Sequence, residues 1–365
     1  MTTTKDAEQQ LAPAYGLDDP RRLPGRYIVR FKQDASDPQA LSAALVTRWG
    51  GKTYGVLRSL KGFWGELPDS AIGALRRSSD VAYIEADRAI PVAGVGDTTQ
   101  SNAPWQLDRV DQRNLPLNGT YEYSTTGAGV RIWIIDGGVD RSNGELAGRI
   151  NESWSVTNQG KDPYGPCHPH GTNMAVAAAG TTTGPAKAAI IHAARVDSDC
   201  NGHLSVGASS FAFEFIADYS PRPTVINYSA AGHCGFFGCG QTVDDAAKYA
   251  RQKGIAVFVG AGNDNDDACD YTPAHVSELI TVGASNSSDQ RAAISNWGTC
   301  IDIFAPTPDG GGTSRATAMV TGVAALHLQL YPTATPNQVE SAIISKSTQG
   351  VLTGVGTGSP NRLLY

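Results

Sequence analysis

Apolar residues in the first quarter of the chain form short strand-like runs separated by helical repeats. A β-rich run fills residues 27–31. A helix is then predicted from Pro38, a residue that suits the first turn of a helix, because the apolar residues from there to Trp49 recur on one helical face. A second strand–helix–strand pattern follows over residues 62–85. We therefore predict a small α+β domain over residues 25–90.

Beyond residue 102 the pattern changes to near-continuous apolar runs that alternate with helical repeats. Strands that are buried on both faces give such runs. The predicted strands are residues 130–135, 189–196, 224–228, 255–259 and 279–282. Predicted helices are residues 242–253, capped by Thr242, residues 314–330, and a last helix that begins with a capping box from Thr335 to Gln338. The pattern predicts one α/β domain over residues 102–365, with a doubly wound, mainly parallel sheet and helices on both faces.

Two further segments carry no apolar periodicity. Residues 1–24 are polar and are predicted to be disordered, and residues 91–101 have the composition of a linker. The chain of 365 residues is long enough for one large core and one smaller domain, and it contains no internal repeat.

Charge and cysteine content narrow the possible functions. The formal net charge is -6 and the basic residues are scattered, so nucleic-acid binding is not expected. No apolar stretch is long enough for a membrane-spanning helix. The six cysteines indicate an oxidising compartment, whereas residues 1–19 contain no apolar core of a signal peptide. We give the cysteines more weight and expect a secreted protein.

Four polar residues occupy positions where acyl-transfer chemistry could be built. Asp136 ends an apolar strand, His170 precedes a glycine and a small-residue helix at 174–179, and Asn263 follows a buried strand. Ser314 follows a glycine-rich turn and opens the helix at 314–330, whose N-terminus favours negative charge. Taken singly, each has an ordinary alternative as a strand end, a loop histidine, a turn residue or a helix cap.

Taken together, these segments closely resemble the subtilisin-like serine proteases. The order Asp, His, Asn, Ser, in the strings Ile-Ile-Asp-Gly, His-Gly-Thr, Ala-Gly-Asn-Asp and Gly-Thr-Ser-Arg-Ala, is nearest to the proteinase K and aqualysin branch. The resemblance implies an endopeptidase that acts on protein or peptide substrates through an acyl-enzyme. It implies Ser314 as the nucleophile, His170 as general base and then acid, Asp136 as its orienting partner and Asn263 as oxyanion donor. His168 is the weaker candidate for the base.

The same resemblance extends to the rest of the chain. Residues 25–90 resemble the inhibitory prodomain of the family, which implies a ferredoxin-like α+β fold for this domain. It also implies a self-processed, monomeric precursor that is cut near Asp97 and Thr98. A substrate edge is implied at Ser229, Ala230 and Ala231, with Gly262 lining the same site. Where the family has glycine, Ala231 is expected to narrow the pocket for the P1 side chain, the residue before the cleaved bond.

Disulfides and metal sites also follow from the resemblance. Cys167 with Cys200 and Cys269 with Cys300 match known bridges, while Cys234 and Cys239 are expected to close a local loop. A zinc site made of Cys167, His168, Cys200 and His203 is an alternative. Structural Ca²⁺ is implied at two sets of residues, the first made of Asp302, Ser277 and Leu279 and the second of Asp108, Asp111 and Gln112.

Several residues depart from the family pattern around the site. Gly137 replaces a hydroxyl residue after Asp136, Arg315 replaces a methionine after Ser314, and Ala318 and Asn173 replace a proline and a histidine. The stretch from residue 305 to 312 is also shorter than usual. These departures leave open an alternative function, a catalytically impaired pseudoprotease that acts as a binding protein.

Overall fold

The computed structural model describes most of the chain, and its residues fall into two compact units. The described residues are 11–19, 22–88, 98–156, 166, 168–235, 239–308 and 310–365. The units are Met1–Val95 and Gly96–Tyr365. The predicted linker lies largely outside the described residues, and the identification of residues 25–90 as an inhibitory domain stays a prediction.

The first unit is a five-stranded sheet with two helices. Its elements are β1 (Ala14–Tyr15), β2 (Arg22–Phe31), α1 (Pro38–Trp49), β3 (Lys52–Leu57), β4 (Gly62–Glu66), α2 (Asp69–Leu75) and β5 (Val81–Arg88). The strand order is β1-β5-β2-β4-β3. Helix α1 begins where the sequence predicts, because the side chain of Asp37 accepts a hydrogen bond from the N–H of Gln39 and Pro38 needs no donor there.

The prediction of disorder over residues 1–24 is wrong for the described part of that segment. Ala14 and Tyr15 pair in parallel with Ile84 and Glu85, and β2 already begins at Arg22. This pairing satisfies the hydrogen bonds of backbone N–H and C=O groups. A polar pattern of side chains does not show that the backbone is paired in this way.

The second unit holds the large domain. Its strands are β6 (Thr98–Ser101), β7 (Thr120–Tyr123), β8 (Arg131–Asp136), β9 (Ile150–Ser155), β10 (Ile190–Arg195), β11 (Thr224–Tyr228), β12 (Gly232–His233), β13 (Ala256–Gly260), β14 (Tyr271–Thr272), β15 (Ile280–Ser285), β16 (Ile303–Pro306), β17 (Thr348–Gln349) and β18 (Arg362–Leu363). Its α-helices are α3 (Trp105–Asp108), α4 (His170–Ala179), α5 (Val206–Tyr219), α6 (Gln241–Gln252), α7 (Gly312–Leu330) and α8 (Pro336–Lys346). Short 3₁₀ turns lie at Arg109–Asp111, Gly144–Leu146 and Ala268–Asp270.

Nine strands form the central sheet, in the order β17-β18-β16-β15-β13-β11-β8-β10-β9. All pairs are parallel except β17 with β18. Side chains of β8 alternate between two cores: Ile132 and Ile134 join the one that includes α4 and α7, and Trp133 and Ile135 join the one that includes α5 and α6. The predicted doubly wound fold is confirmed.

Three helix starts differ from the sequence prediction, and one of them is that of α7, which begins at Gly312 rather than at residue 314. Helix α6 begins at Gln241 with Gly240 as its cap rather than Thr242, and α4 begins at His170 rather than at residue 174. The predicted capping box of Thr335 and Gln338 is present. Among the residues that the structure describes, no helix is both long and apolar enough to cross a membrane.

Candidate active site

The carboxyl ends of three neighbouring strands bring the candidate residues to one edge of the sheet. Strand β8 ends at Asp136, and its neighbour β11 leads directly to Ser229. The next strand, β13, ends at Gly260, three residues before Asn263. In doubly wound sheets ligands bind at the carboxyl ends of the strands, in the crevice that forms where the strand order reverses.

Asp136 and His170 form a close pair at this edge. Nδ1 of His170 lies 2.7 Å from Oδ2 of Asp136, whose side chain is 2% exposed while that of His170 is 33% exposed. The other carboxylate oxygen of Asp136 accepts the N–H of Gly137 at 2.7 Å. A backbone donor therefore holds one oxygen of this carboxylate, although Gly137 lacks the hydroxyl of the family pattern. Gly171 has no side chain because a Cβ there would collide with the carbonyl oxygen of Gly138.

The pKa of His170 is raised above its ordinary value by competing effects. Burial on its own lowers the pKa, since it penalises the charged imidazolium. The hydrogen bond and the negative charge of Asp136 more than offset burial, and the positive charge of Arg315 acts in the lowering direction. Asp136 thus makes the imidazole a stronger base, and the positive charge of Arg315 on helix α7 makes it a weaker one.

Ser314 lies in the first turn of α7 and exchanges two hydrogen bonds with Ser229. Its hydroxyl donates to the carbonyl oxygen of Ser229 at 3.2 Å, and the hydroxyl of Ser229 donates to the carbonyl oxygen of Ser314 at 2.9 Å. Within the described part of the chain, no hydrogen bond joins Ser314 to His170. The structure therefore connects the carboxylate to the imidazole and directs the serine hydroxyl to the carbonyl oxygen of Ser229.

Asn263 is bound to the same helix start. Its Oδ1 accepts the N–H of Thr313 at 2.9 Å and the Thr313 hydroxyl at 3.1 Å. Because both partners are donors, the amide oxygen faces the helix and Nδ2 is free to point elsewhere. Gly312 adopts φ 54°, and a Cβ there would lie 2.6 Å from Oδ1 of Asn263, so glycine is required for this close approach.

A small cavity is lined by residues from the N-terminal parts of helices α4 and α7. Its volume is about 70 Å³, and its walls include Asn173, one turn after His170, and Arg315, next to Ser314. Pro306 and Pro308 also line it, from the shortened stretch before α7. The histidine and the serine therefore belong to helix starts that face one shared cavity.

The predicted substrate edge lies beside Ser314. Ser229 is buried, Ala230 is half-buried and Ala231 is exposed. Gly262 adopts φ 102°, and a Cβ there would collide with the side-chain amide of Asn296. Sequence reasoning gave Asn296 no role, but its buried side chain accepts the N–H groups of Asp264 and Asp266 and so fixes the loop that carries Asn263.

The residues of the second predicted calcium set lie close together. Asp108 accepts hydrogen bonds from the amide of Gln112 and from the N–H of Gly119 at 2.7 Å. Asp111 accepts the N–H of Glu122 at 2.6 Å, while its Oδ1 is buried without a partner. Burial raises the pKa of Asp111 to about 6 and raises that of Asp108 as well.

In the first predicted calcium set, Asp302 is hydrogen-bonded to β15, the strand that follows Leu279. Oδ2 of Asp302 accepts the N–H of Thr281 at 2.7 Å, and burial raises the pKa of Asp302 to about 6. The hydroxyl of Ser277 contacts Glu278 at 3.2 Å. Both acidic sets therefore hold a carboxylate that is costly to ionise without a cation nearby.

Two predicted disulfides are confirmed. Cys234 pairs with Cys239 and Cys269 pairs with Cys300. Cys200 is also disulfide-bonded, and its expected partner Cys167 lies outside the described residues. The sulfur of Cys200 is therefore not available as a zinc-binding thiolate, and His203 instead contacts Asp199 at 2.7 Å.

Comparisons with known proteins agree with this geometry. The sequence profile of the Subtilase family matches residues 127–359. The chain is 40% identical over 396 residues to an extracellular serine proteinase of Thermus sp. (strain Rt41A), covering 98% of this chain and 93% of the relative. It is 33% identical over 378 residues to Proteinase R of Parengyodontium album, covering 98% and 93%.

A solved structure gives the same result for the fold. A cold adapted subtilisin-like serine proteinase superposes with a TM-score of 0.68 at 36% identity, covering 73% of this chain and 98% of that chain. The resemblance of the sequence to the subtilisin-like serine proteases is thereby confirmed. The chain belongs to the subtilase family of subtilisin-like serine proteases, and it is a serine-type endopeptidase.

Proposed function

We propose that the chain hydrolyses peptide bonds through an acyl-enzyme formed on Ser314. The observation that carries this assignment is the 2.7 Å contact between His170 and Asp136 at the edge of the sheet where Ser314 opens α7. A carboxylate that accepts the Nδ1 hydrogen leaves the lone pair of Nε2 free to take a proton from a serine hydroxyl.

The chemistry begins with rotation of Ser314 about χ1, which moves its hydroxyl from the carbonyl of Ser229 to Nε2 of His170. The imidazole accepts the proton while Oγ attacks the scissile carbonyl carbon. Negative charge then develops on the carbonyl oxygen, and Nδ2 of Asn263 and the N–H groups at the start of α7 stabilise it. His170 gives the proton to the leaving amine, and water repeats the sequence to release the acyl group.

Fluorophosphonate labelling tests this assignment, because only an activated serine reacts with the probe. We expect stoichiometric labelling of the wild-type chain on Ser314 and none in Ser314→Ala. Ser345→Ala is the matched control, since Ser345 is an exposed helix serine that should leave labelling unchanged. An unlabelled but folded wild type would instead support the pseudoprotease function.

Substrate selection is proposed to occur along residues Ser229, Ala230 and Ala231, with Gly262 opposite them. Peptide substrates commonly pair with an exposed edge through their backbone, and the side chain before the cleaved bond enters a pocket. The exposed methyl of Ala231 narrows this pocket, so Ala231→Gly should increase kcat/KM for large aromatic P1 residues relative to alanine. Equal ratios in both variants would contradict this role.

We also propose that the chain is a secreted, monomeric precursor whose first unit inhibits the second until it is removed. Support comes from the division into two units near residue 95 and from a relative named as extracellular. Mass spectrometry should find the wild type cut near Thr98 and Ser314→Ala at full length. A cut that persists in Ser314→Ala would show that another protease makes it.

Structural Ca²⁺ is proposed at the two acidic sets. At the second, the unpartnered Oδ1 of Asp111 and the buried carboxylate of Asp108 offer hard oxygen ligands, with the side-chain oxygen of Gln112 as a third. At the first, Asp302 would bind together with backbone oxygens of Ser277 and Leu279. A bound cation would neutralise carboxylates that burial makes costly to ionise.

A further inference from the structure

Another histidine–carboxylate pair, whose residues have no assigned role in catalysis, lies beside the disulfide of Cys234 and Cys239. Nε2 of His275 lies 2.8 Å from Oδ2 of Asp244, and Nδ1 of His275 lies 3.4 Å from the sulfur of Cys239 and 3.8 Å from that of Cys234. We call these four residues the sulfur–histidine cluster. Within the described residues, it supplies the one group of three or more His, Cys, Asp or Glu ligand atoms that all lie within 4.8 Å of one another.

The hydrogen bonds of the cluster orient the imidazole toward the sulfurs. Asp244 is 2% exposed, and its other oxygen accepts the hydroxyl of Thr272 at 2.6 Å. A carboxylate in this position accepts a hydrogen from Nε2, so the lone pair of the neutral ring lies on Nδ1, facing both sulfurs. Histidines that bind metals are held in this way by a carboxylate behind the ring.

We propose that the sulfur–histidine cluster is a redox-controlled metal site, which binds one Zn²⁺ or a similar divalent ion after the disulfide is reduced. An external dithiol supplies two electrons and two protons, so that the sulfur–sulfur bond breaks, two protein thiols form and the dithiol becomes a disulfide. The ion then displaces one proton from each thiol. The sulfurs of Cys234 and Cys239 and Nδ1 of His275 become its ligands, and the fourth position faces solvent.

The distances fit such an ion. Tetrahedral Zn²⁺ with bonds of about 2.3 Å to sulfur and about 2.0 Å to nitrogen places each nitrogen and sulfur about 3.5 Å apart. The observed separations of 3.4 and 3.8 Å bracket this value before any movement. The two sulfurs must separate to about 3.8 Å. Breaking the bond between them permits that separation.

The backbone around the cluster is fixed by local pairing. Strand β12 pairs with β14 in antiparallel fashion, with Gly232 opposite Thr272, and the N–H of Cys234 donates to the carbonyl of Asp270 at 2.7 Å. Thr272 also donates its hydroxyl to Asp244. Reduction alone therefore leaves Cys234 near His275, so the ion can join both sulfurs to His275 once the disulfide is open.

The other described disulfide provides an internal comparison. The sulfur of Cys269 lies 3.4 Å from the hydroxyl of Thr299. A hydroxyl is a weaker metal ligand than an imidazole. Reduced Cys269 and Cys300 therefore form no comparable site, although the same treatment opens their bridge as well.

Cobalt titration tests the proposal. The full chain is used as its Ser314→Ala variant, to prevent self-cleavage, and is reduced with a phosphine, which contains no thiol. After reduction we expect one Co²⁺ per chain with a thiolate-to-metal charge-transfer band, displaced by Zn²⁺. Zinc should also raise the melting temperature of the reduced protein and leave that of the oxidised protein unchanged. No cobalt band after reduction, or the same band before it, would overturn the proposal.

Three variants locate the ion. His275→Ala should weaken cobalt binding at least tenfold, and Cys234→Ser with Cys239→Ser should abolish the charge-transfer band. Asp244→Asn keeps all three ligands and should weaken binding about 10–100-fold. An unchanged titration in the folded His275→Ala or double serine variant would place the ion elsewhere and refute the site. Because the readout is metal binding alone, the result does not depend on the catalytic assignment.

Discussion

Replacement of Asp136 by asparagine should stop catalysis by changing which nitrogen of His170 carries the hydrogen. One oxygen of Asp136 accepts the fixed N–H of Gly137 and the other faces Nδ1 of His170. In Asp136→Asn the amide oxygen must stay with Gly137, since two donors cannot face each other. The amide NH₂ then donates to Nδ1, and the hydrogen of the ring moves to Nε2, where it blocks proton transfer from Ser314.

The expected loss in kcat is about 10⁴-fold, the effect of this substitution where such a triad has been dissected. It corresponds to about 5.4 kcal/mol of transition-state stabilisation. Water cannot compensate, because the carboxylate is only 2% exposed. Hydrolysis of a peptide substrate at neutral pH measures the loss, with circular dichroism to confirm folding.

Asp199→Asn is the matched control for this experiment. Asp199 also lies 2.7 Å from Nδ1 of a histidine, but that partner, His203, is 74% exposed and outside the candidate site. We expect less than a threefold change in kcat in the control. A loss below about 100-fold in Asp136→Asn, or similar losses in both variants, would refute the assigned role of Asp136.

Three further predictions test the surroundings of the site. Arg315→Met removes a charge that lowers the pKa of His170, so the acid limb of the profile of kcat/KM against pH should move to higher pH. Gly312→Ala places a Cβ 2.6 Å from Oδ1 of Asn263 and should reduce kcat by up to about 10²–10³-fold in a peptide assay. Without calcium, Asp111, with a pKa of about 6 against about 3.9 when unfolded, favours folding at low pH, and this contribution is lost as pH rises through 6. The melting temperature should therefore respond more to calcium at pH 8 than at pH 5.

Controls separate these effects from general damage. Arg315→Lys keeps the charge and should keep the pH profile close to that of the wild type. Gly310→Ala introduces a side chain at φ 77°, where no atom lies within 4 Å, so it should lower stability without lowering kcat. Equal losses of kcat in Gly310→Ala and Gly312→Ala would contradict the role of Asn263. In Asp111→Asn the effect of calcium on melting temperature should shrink at pH 8, and an unchanged effect would argue against that site.

The strands were predictable from sequence because buried parallel strands need continuous apolar runs. The run at 224–228 matches β11, and the others shift by a few residues at their ends. The capping box at Thr335 was predictable because both of its hydrogen bonds are local. The start of α4 was not, because Pro169 already adopts helical angles, with φ -68° and ψ -8°, although its sequence neighbours suggest a loop.

Contacts between segments that are distant in the chain could not be predicted from the sequence without the family resemblance. Asp136 and His170 are 34 positions apart, and their contact depends on where β8 ends relative to α4. The backbone N–H of Gly137 holds the other oxygen of Asp136, and this contact involves no side chain of residue 137 that a sequence pattern could reveal. Likewise, Cys239 and His275 are 36 positions apart, so only their pairing in space reveals the sulfur–histidine cluster.

The resting position of Ser314 favours an active enzyme over a pseudoprotease. Its hydroxyl makes one neutral hydrogen bond, to the carbonyl of Ser229. The proposed rotation to His170 would exchange that bond for another. Even an uncompensated loss would cost about 1 kcal/mol, which lowers the reactive population about fivefold. Asn263 is meanwhile fixed by two donors from Thr313, so its NH₂ keeps its direction when substrate binds. A complete absence of labelling would therefore require a stronger obstacle than this rotamer, and Arg315, the cation that opposes protonation of His170, is the residue to test first.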